Sequence, residues 1–377
     1  MPRTPAQSLP PPTMSCIEIC AGAGGQALGL QRAGFSHTAL VELDRDAAQT
    51  LRLNQPNWNV TQSDIRRIRA GDLSATGNSV AVLAAGVPCP PFSLAGKQLG
   101  PVDERDLFPE LLRLAAELRP SAVMVENVKG ILQTKFAGYR AEVISVLTRL
   151  GYTADWRLLR ACDYGVPQLR PRAVLVALRP EAFRRFRWPT PTSCPKTAPT
   201  VGSVLYESMA SADWELARQW ADGAMTIAPT LCGGSRKHGG ADLGPSRARK
   251  AWSQLGVDGS SVADEPPGPG AALPVRLTIR QMALLQGFPA DWDFAGSKTS
   301  VYRQVGNAFP PPVAEAVGRS LAAALGQADT TSRSAIPQIP GTAHDPPGST
   351  LFPPSTISPG LSASGGTVSR ADSHLPH

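Results

Sequence analysis

Short apolar runs alternate with segments of helical periodicity from Ile17 to Leu178. Apolar runs of about four to eight residues are typical of buried strands, and helical segments between them favour βαβ units. The predicted strands are Cys16–Cys20, Thr38–Leu43, Val80–Ala85, Ala122–Val125, Thr153–Leu159 and Arg172–Leu178. The pattern therefore predicts an α/β fold with a mostly parallel, doubly wound sheet.

One helix is predicted to cover a face of this sheet. Apolar residues recur at helical spacing from Leu107 to Leu118, with Pro109 in the first turn and Pro120 just after the end. Proline is tolerated in the first turn of a helix and stops a helix elsewhere, so both positions agree with these bounds.

The periodicity weakens after Arg179, where Trp, Pro, Gly and Arg become frequent. This change predicts a smaller lobe of loops and short strands at residues 181–275, inserted into a domain formed by residues 15–180 and 276–326. A capped helical pattern from Leu277 to Gln286 and an Ala-rich helix from Pro312 to Leu325 indicate that the first domain resumes.

The two ends of the chain are predicted to be disordered tails, at residues 1–14 and 327–377. Ser, Thr, Pro and Gly dominate the second tail, and large apolar residues are few. Such a segment buries too little apolar surface to offset its chain entropy.

The six cysteines of the 377-residue chain show no Cys-x-x-Cys pair and no metal-ligand spacing with histidine, which indicates a reducing environment and no metal site. The amino terminus lacks an apolar signal-peptide core, and no stretch approaches the roughly 18 apolar residues of a membrane span. We therefore expect a cytoplasmic protein that does not contact a membrane.

The net charge of +7 suggests a polyanionic partner without proving one. Basic residues concentrate in Gly233–Gly240 and Ser246–Lys250, where Asp242 is the acidic residue between them. A flexible basic segment can follow a phosphate backbone, although it can equally be a solvated loop.

Candidate chemistry lies where two predicted strands end. Cys89 follows an apolar run and stands between Pro88 and Pro90, which prevent the strand or a helix from continuing. Glu126 ends another apolar run, where a carboxylate is costly unless it is exposed or paired. A thiol alone is more often a small buried residue, but a thiol and a carboxyl group at one sheet edge suit nucleophilic attack coupled to proton transfer.

A glycine-rich turn, Glu18-Ile-Cys-Ala-Gly-Ala-Gly-Gly25, joins the first predicted strand to a helix. Glu42 follows at the end of the second strand, where its carboxylate could accept both hydroxyls of a ribose. Asp64 could accept from an adenine amino group, with Ile65 packed on the ring. These residues imply an adenosine-containing ligand, and either NAD or S-adenosylmethionine satisfies them.

The ordered set of motifs resembles the cytosine-5 DNA methyltransferase family across about Ser15 to Leu325. The matching stretches are the glycine-rich turn, Glu42, Asp64, Gly86-Val-Pro-Cys-Pro-Pro-Phe-Ser93, Asp103-Glu-Arg-Asp-Leu-Phe108, Glu126-Asn-Val128, Tyr164-Gly-Val-Pro-Gln-Leu-Arg-Pro-Arg172, Leu277-Thr-Ile-Arg280 with Leu285-Gln-Gly-Phe-Pro289, and Tyr302-Arg-Gln-Val-Gly-Asn-Ala308. The resemblance implies a Rossmann-like methyltransferase domain and, at the inserted lobe, a small irregular target-recognition domain.

The resemblance also implies the reaction. Cys89 would add to C6 of a cytosine flipped out of duplex DNA, Glu126 would hold and protonate the ring, and S-adenosylmethionine would donate the methyl group to C5. Arg172, and Arg170 with less support, would hold the base O2 or support the cysteine loop. No metal is implied.

The family pattern assigns the remaining contacts by position. The residues implied to line the cofactor pocket are Cys20, Ala21, Gly22, Ala23, Gly24, Gly25, Glu42, Leu43, Asp64, Ile65, Pro88, Leu107, Asn307 and Ala308. The residues expected to contact DNA are Ser93, Lys97, Arg236, Lys237, Arg247 and Arg249. We expect a monomer that acts on double-stranded DNA, with any cognate restriction endonuclease acting as a separate protein.

Three positions depart from the usual family pattern. Glu18 stands where Asp is more frequent, Cys20 where Phe is common, and Pro90 where a Gln often follows the cysteine. The last change leaves open how the gap beside a flipped base is contacted. An RNA-directed relative, a catalytically inactive DNA-binding module and a small-molecule dehydrogenase are the alternatives.

Overall fold

The computed structural model describes residues 14–73, 79–88, 106–233 and 241–326. Within these ranges, seven strands form one sheet, and all six strands predicted from the sequence are confirmed. The strands are β1 (Met14–Ile19), β2 (Phe35–Glu42), β3 (Val60–Gln62), β4 (Val82–Gly86), β5 (Ala122–Val128), β6 (Thr153–Arg160) and β7 (Pro171–Leu178).

The strand order is β3-β2-β1-β4-β5-β7-β6, and β7 is the strand that runs against its neighbours. The chain moves outward from β1 through β2 to β3 and then returns to form β4 and β5 on the other side of β1. In a doubly wound sheet, the crevice at such a reversal is the usual ligand site. Here it lies between the carboxyl ends of β1 and β4.

Strand β3 was missed from the sequence because its three residues are polar or partly buried and form no apolar run. It occupies the sheet edge beside β2 and is paired through Leu40–Val60, Val41–Thr61 and Glu42–Gln62. This segment forms a strand because it pairs with the partly buried strand β2, and not because of its own hydrophobicity.

Helices cover the sheet and form the lobe. They are α1 (Gly25–Arg32), α2 (Arg45–Asn54), α3 (Ala70–Leu73), α4 (Phe108–Leu118), α5 (Ala137–Arg149), α6 (Pro180–Arg185), α7 (Val201–Ala210), α8 (Ala217–Gly223), α9 (Ser246–Ser253), α10 (Ile279–Leu285), α11 (Lys298–Asn307) and α12 (Pro311–Gly326). The predicted helices ending at Leu118, near Gln286 and near Leu325 correspond to α4, α10 and α12. Thr278 caps α10 in a reciprocal capping box with Gln281, as the sequence pattern indicated. The α/β fold class is thus confirmed.

The expectation of short strands in residues 181–275 is wrong for the described part of that region, which contains helices α6 to α9 and only isolated β-bridges. Apolar residues at helical spacing explain the difference, since Val201, Leu205 and Met209 form one buried stripe on α7. The abundance of Gly, Pro and Trp around these short helices hid the period. The boundaries at residues 181 and 275 stay a prediction.

The carboxyl-terminal helix α12 packs on α1, and both helices share a buried cluster with β1. Gly29 of α1 lies so close to α12 that an added Cβ would be 2.5 Å from the Ala314 Cβ and from the Pro311 carbonyl oxygen. The glycine turn is therefore supported by a helix from the opposite end of the described chain.

No helix in the described ranges is both long enough and apolar enough to cross a lipid bilayer. The predicted tails lie outside those ranges, apart from Met14, which begins β1.

We expect Gly29→Ala to destabilise the protein by about 1–3 kcal/mol, because the methyl group overlaps α12. Ala normally stabilises a helix relative to Gly by about 0.5–1 kcal/mol. Gly138→Ala in α5, where a Cβ meets nothing within 4 Å, is the matched control and should be neutral or stabilising. Urea unfolding measures both free energies, and equal effects would contradict close α1–α12 packing.

Candidate active site

The candidate site lies along the carboxyl ends of β1, β2, β4 and β5. Gly86, the last residue of β4, pairs with Glu126 of β5, and Cys89 follows Gly86 by three positions in the sequence. The position of a Cβ on Gly86 would be 3.1 Å from the Cys20 carbonyl oxygen, so β4 ends against the turn that follows β1. The parallel register therefore brings Gly86, Glu126 and the glycine turn to one edge.

The glycine turn is compact and has an open side. The Gly24 N–H donates to the Ala21 carbonyl at 3.1 Å, and Cys20, Gly22 and Gly24 all have positive φ. Gly22, at φ +55°, has no atom within 4 Å of the place where a Cβ would lie. Absence of a side chain there leaves the backbone accessible to a ligand.

Gly25 fixes the opposite side of the turn. A Cβ on Gly25 would lie 2.2 Å from the Phe309 carbonyl oxygen, so the segment after α11 presses against the start of α1. The structure thus brings Ala308, which is buried, and Asn307, which is exposed, to the vicinity of the turn. Ala23 contributes its carbonyl oxygen to the Trp292 indole N–H at 3.2 Å.

Glu42 is held at the end of β2 by two backbone donors. The Gly22 N–H donates to Oε2 at 2.7 Å, and the Asp44 N–H donates to Oε1 at 2.8 Å. Burial raises the pKa of Glu42, whereas these N–H groups favour its ionised form. Each carboxylate oxygen retains a second acceptor direction, so the group can accept ligand hydroxyls while it fixes the turn.

Three residues close to Glu42 in the sequence or at the next strand end differ in exposure and hydrogen bonding: Leu43, Asp64 and Ile65. Asp64 accepts from the Arg66 N–H at 3.0 Å, and this backbone hydrogen bond lowers its pKa. Ile65 is buried, whereas the Leu43 side chain is 65% exposed. The exposed apolar side chain of Leu43, next to the Glu42 carboxylate, is suited to pack against the face of a planar ring.

Pro88 and Leu107 border the residues that connect β4 to α4. Pro88 is half-buried, and Leu107 is buried and stands at the N-cap position of α4. Asp106 fixes this helix start, since its Oδ1 accepts from the Phe108 N–H at 3.0 Å and its Oδ2 from the Tyr139 hydroxyl at 2.5 Å. Tyr139 lies in a separate helix, α5, so the sequence gives no local sign of its contact with Asp106.

Glu126 and Arg172 form a buried ion pair, with 2.8 Å between Glu126 Oε1 and Arg172 Nε. Arg172 pairs with Val128 and Val174 pairs with Glu126 in the β5–β7 ladder, which places the two charged side chains diagonally on one sheet face. Burial raises the pKa of Glu126, and the positive charges of Arg172 and then Arg170 oppose that rise. A buried carboxyl group poised between these effects is suited to proton transfer.

Arg170 is also buried but faces elsewhere. It has φ +26°, and its guanidinium donates to the carbonyl oxygens of Leu231, Gly306 and Ala308 at 2.6, 2.7 and 2.7 Å. These contacts join the lobe to the end of α11. The Arg170 guanidinium therefore supports the backbone of these two segments.

A second buried network accompanies Arg170 and was missed from the sequence. The Gln168 side chain accepts from the Leu231 N–H at 2.8 Å and donates to Gln286 Oε1 at 2.9 Å. Gln286 in turn donates to the Val305 carbonyl oxygen at 2.7 Å. Paired amides that lie far apart in sequence give no local pattern from which this network could be found.

A buried Glu18–His37 pair lies beneath the glycine turn, with 3.3 Å between Glu18 Oε2 and His37 Nε2. Burial raises the pKa of Glu18, and the His37 contact opposes that rise. Trp58 packs against His37 with 5.0 Å between ring centroids. The departure noted at Glu18 is thus accommodated by a partner on β2.

Cys89, Ser93, Lys97, Arg236 and Lys237 lie outside the described residues. Arg247 and Arg249 are exposed on α9, whose Trp252 is buried in the lobe. Across residues 14–73, 79–88, 106–233 and 241–326, no three His, Cys, Asp or Glu side chains are grouped to hold a metal ion.

Solved structures share this fold at low sequence identity. The Entamoeba histolytica methyltransferase EhMeth has a TM-score of 0.57 and 13% identity, covering 82% of this chain and 98% of that one. The S. pombe Dnmt2 methyltransferase has a TM-score of 0.56 and 16% identity, with coverage of 82% and 98%.

Sequence relatives are much closer. Type II methyltransferase M.NaeI of Lentzea aerocolonigenes is 53% identical over 320 residues, covering 83% of this chain and 76% of the relative. Type II methyltransferase M.NgoMIV of Neisseria gonorrhoeae is 50% identical over 312 residues, covering 82% and 97%.

The family model for C-5 cytosine-specific DNA methylase matches residues 14–323, which include the sheet, the lobe and α12 almost to its end. Together with the two Type II methyltransferase relatives, this match supports a DNA methyltransferase over the alternatives. The chain belongs to the C-5 cytosine-specific DNA methylase family and is a DNA (cytosine-5-)-methyltransferase.

Proposed function

We propose that this enzyme methylates one cytosine within a short duplex DNA sequence, with Cys89 as nucleophile and S-adenosylmethionine as methyl donor. The observation that carries the proposal is the buried Glu126–Arg172 pair on the strand end that faces Gly86. This pair supplies an acid and a fixed positive charge beside the end of β4, three residues before Cys89 in the sequence.

The Cys89 thiolate would form a bond to C6 of cytosine, because C5 of the aromatic ring is a poor nucleophile until the ring becomes an enamine. Glu126 would hydrogen-bond N3 and the exocyclic amine and give a proton to N3 as the electron pair moves into the ring. Recognition of an amine also selects cytosine over thymine. After methyl transfer, loss of the C5 proton and release of the thiolate would restore the aromatic ring.

Arg172 would keep Glu126 in place and donate to the base O2. A guanidinium stays charged at every physiological pH and offers donors in a fixed plane, so it can serve both partners. Removal of either member of a buried pair leaves an uncompensated charge, which makes this arrangement sensitive to substitution.

A cytosine stacked in a duplex cannot present C6 to a thiol, so the base would be flipped out of the helix at a cost of a few kcal/mol. Ser93 and Lys97 would contact DNA near the opened gap, and Pro90 replaces a donor that relatives often place there. The contacts made by these residues stay predictions.

S-adenosylmethionine fits the open side of the glycine turn and supplies a methyl group on a sulfonium when bound. Glu42 would accept the ribose hydroxyls and Asp64 the adenine amino group, with Leu43 and Ile65 against the ring. The glycine turn from Cys20 to Gly25 would form one side of the pocket. The other side would be formed by Pro88, Leu107, Asn307 and Ala308.

The lobe at residues 181–275 would read the target sequence. Its exposed Arg247 and Arg249 on α9 can contact phosphates, with Arg236 and Lys237 in the adjoining segment. Both relatives compared above are named Type II methyltransferases, which supports a role in restriction-modification with a separate cognate endonuclease. We propose a monomer, because one chain carries every residue that the reaction needs.

We expect Cys89→Ala to abolish methylation while the affinity for S-adenosylhomocysteine stays within about twofold. Bisulfite sequencing of DNA from expressing cells should reveal one modified site for the parent enzyme, and target DNA containing 5-fluorocytosine should trap it through Cys89 because fluorine cannot leave as a proton. Cys194→Ala is the control and should methylate normally. A trapped peptide lacking Cys89 would reassign the nucleophile.

We expect Arg172→Met to move the alkaline limb of the kcat profile to higher pH. Loss of the positive charge raises the pKa of Glu126, so its protonated form persists to higher pH. Maximal kcat should fall roughly tenfold to hundredfold, the scale of a lost charged hydrogen bond. Arg319→Met, which removes an exposed arginine paired with Glu315 on α12, should leave the profile in place. An unshifted limb in Arg172→Met would count against Glu126 as the acid.

We expect Glu42→Gln to weaken S-adenosylhomocysteine binding about tenfold or more, measured by calorimetry. The amide has one acceptor oxygen for the Gly22 and Asp44 N–H groups and cannot also accept two hydroxyls. Glu181→Gln, on the exposed end of α6, is the control. Unchanged affinity in Glu42→Gln would exclude the proposed ribose contact.

A further inference from the structure

A short stem in the lobe rests directly on α11. The stem consists of Leu231–Gly233 on one side and Ala241–Asp242 on the other, and residues 234–240 between them lie outside the described ranges. The buried Tyr302 hydroxyl of α11 is 2.6 Å from the Cys232 carbonyl oxygen and also donates to the Asp242 carbonyl oxygen. A single side chain therefore links both sides of the stem.

The first side of the stem is held by several further groups. Leu231 accepts from Arg170 at 2.6 Å through its carbonyl oxygen, and its N–H donates to Gln168 at 2.8 Å. Gly233 lies so close to Gly306 that a Cβ on Gly306 would be 2.3 Å from the Gly233 Cα. These contacts fix Leu231–Gly233 whether or not the Tyr302 hydroxyl is present.

The second side depends more directly on the hydroxyl. A phenol carries one proton, so the two carbonyl oxygens share one donor and both lie next to the same hydroxyl. Asp242 then leads into α9, the helix that exposes Arg247 and Arg249. This contact is therefore one link between α11 and the segment that leads into α9, alongside the Leu243 N–H bond to the Gly259 carbonyl oxygen at 3.0 Å and the buried Trp252.

We propose that Tyr302 is a positioning residue for target recognition, acting through its hydroxyl on the two sides of the stem. The inference rests on the proposed function, in which the lobe reads DNA. The fixed stem presents the basic lobe surface in one orientation, so binding does not have to order it. Without the hydroxyl, the stem samples more orientations, and both affinity and discrimination fall because recognition needs precise placement.

Removal of the Tyr302 hydroxyl should weaken DNA recognition without changing cofactor binding. The Tyr302 ring can remain packed in the core cluster when the hydroxyl is removed, and the close Gly233–Gly306 approach does not involve the hydroxyl. The cofactor residues Asn307 and Ala308 should therefore keep their places. This separation gives a readout that general loss of structure would not produce.

The test compares Tyr302→Phe with Tyr152→Phe, which removes a buried hydroxyl that donates to the Pro120 carbonyl oxygen at 2.6 Å outside the lobe. Amide hydrogen exchange should become faster in Tyr302→Phe at residues 241–243, whereas residues 231–233 keep their other contacts and should exchange as in the parent; neither segment should change in the control. On the site that the parent enzyme methylates, KM for DNA should rise roughly threefold to tenfold, the scale of one lost hydrogen bond. The ratio of kcat/KM for that site over single-base variants should fall, with S-adenosylhomocysteine affinity within about twofold.

Gly306→Ala provides a second, independent displacement of the same stem, since its methyl group meets Gly233. It should reproduce the loss of discrimination. Unchanged stem exchange and unchanged discrimination in folded Tyr302→Phe would overturn the inference. Absence of cytosine methylation by the parent enzyme would instead overturn the proposed function, and hydrogen exchange would still report whether the hydroxyl holds the stem.

Discussion

The pairing of β5 with β4 on one side and with the reversed strand β7 on the other is the constraint on which the site depends. The first register sets Glu126 opposite Gly86, and the second sets it diagonal to Arg172. Both charged side chains are buried, and neither is stable there without the other. The sheet therefore positions a costly pair that a flexible loop could not hold.

Arg170 and Arg172 show how two residues of one motif acquire different tasks. Arg172 lies within β7 and faces Glu126, whereas Arg170 precedes the strand with a positive φ and turns toward α11. Its three carbonyl acceptors belong to the lobe and to the segment beside the glycine turn. One arginine pairs with Glu126, and the other joins the lobe to the end of α11.

The fold could be predicted from the sequence where buried residues form a local hydrophobic pattern. The six apolar runs became strands, and Thr278 with Gln281 marked the start of α10. β3 and the helices of the lobe were missed because pairing with β2 and packing around Trp, Gly and Pro override local preference. The motifs located Glu126, Glu42 and the glycine turn. The partners Tyr139 and His37 lie outside the motifs, and Gln286 and Tyr302 lie within them, but the contacts of all four join distant segments and leave no local pattern.

The meeting of Gly25 with the Phe309 carbonyl has a consequence for biosynthesis. The glycine turn is synthesised well before Phe309, whose carbonyl oxygen it rests against and which follows it by more than half of the sequence. Contacts of such long range delay folding. The nascent chain must therefore hold an incomplete core until Phe309 has been synthesised, and a fragment that stops before it lacks the surface against which the turn rests.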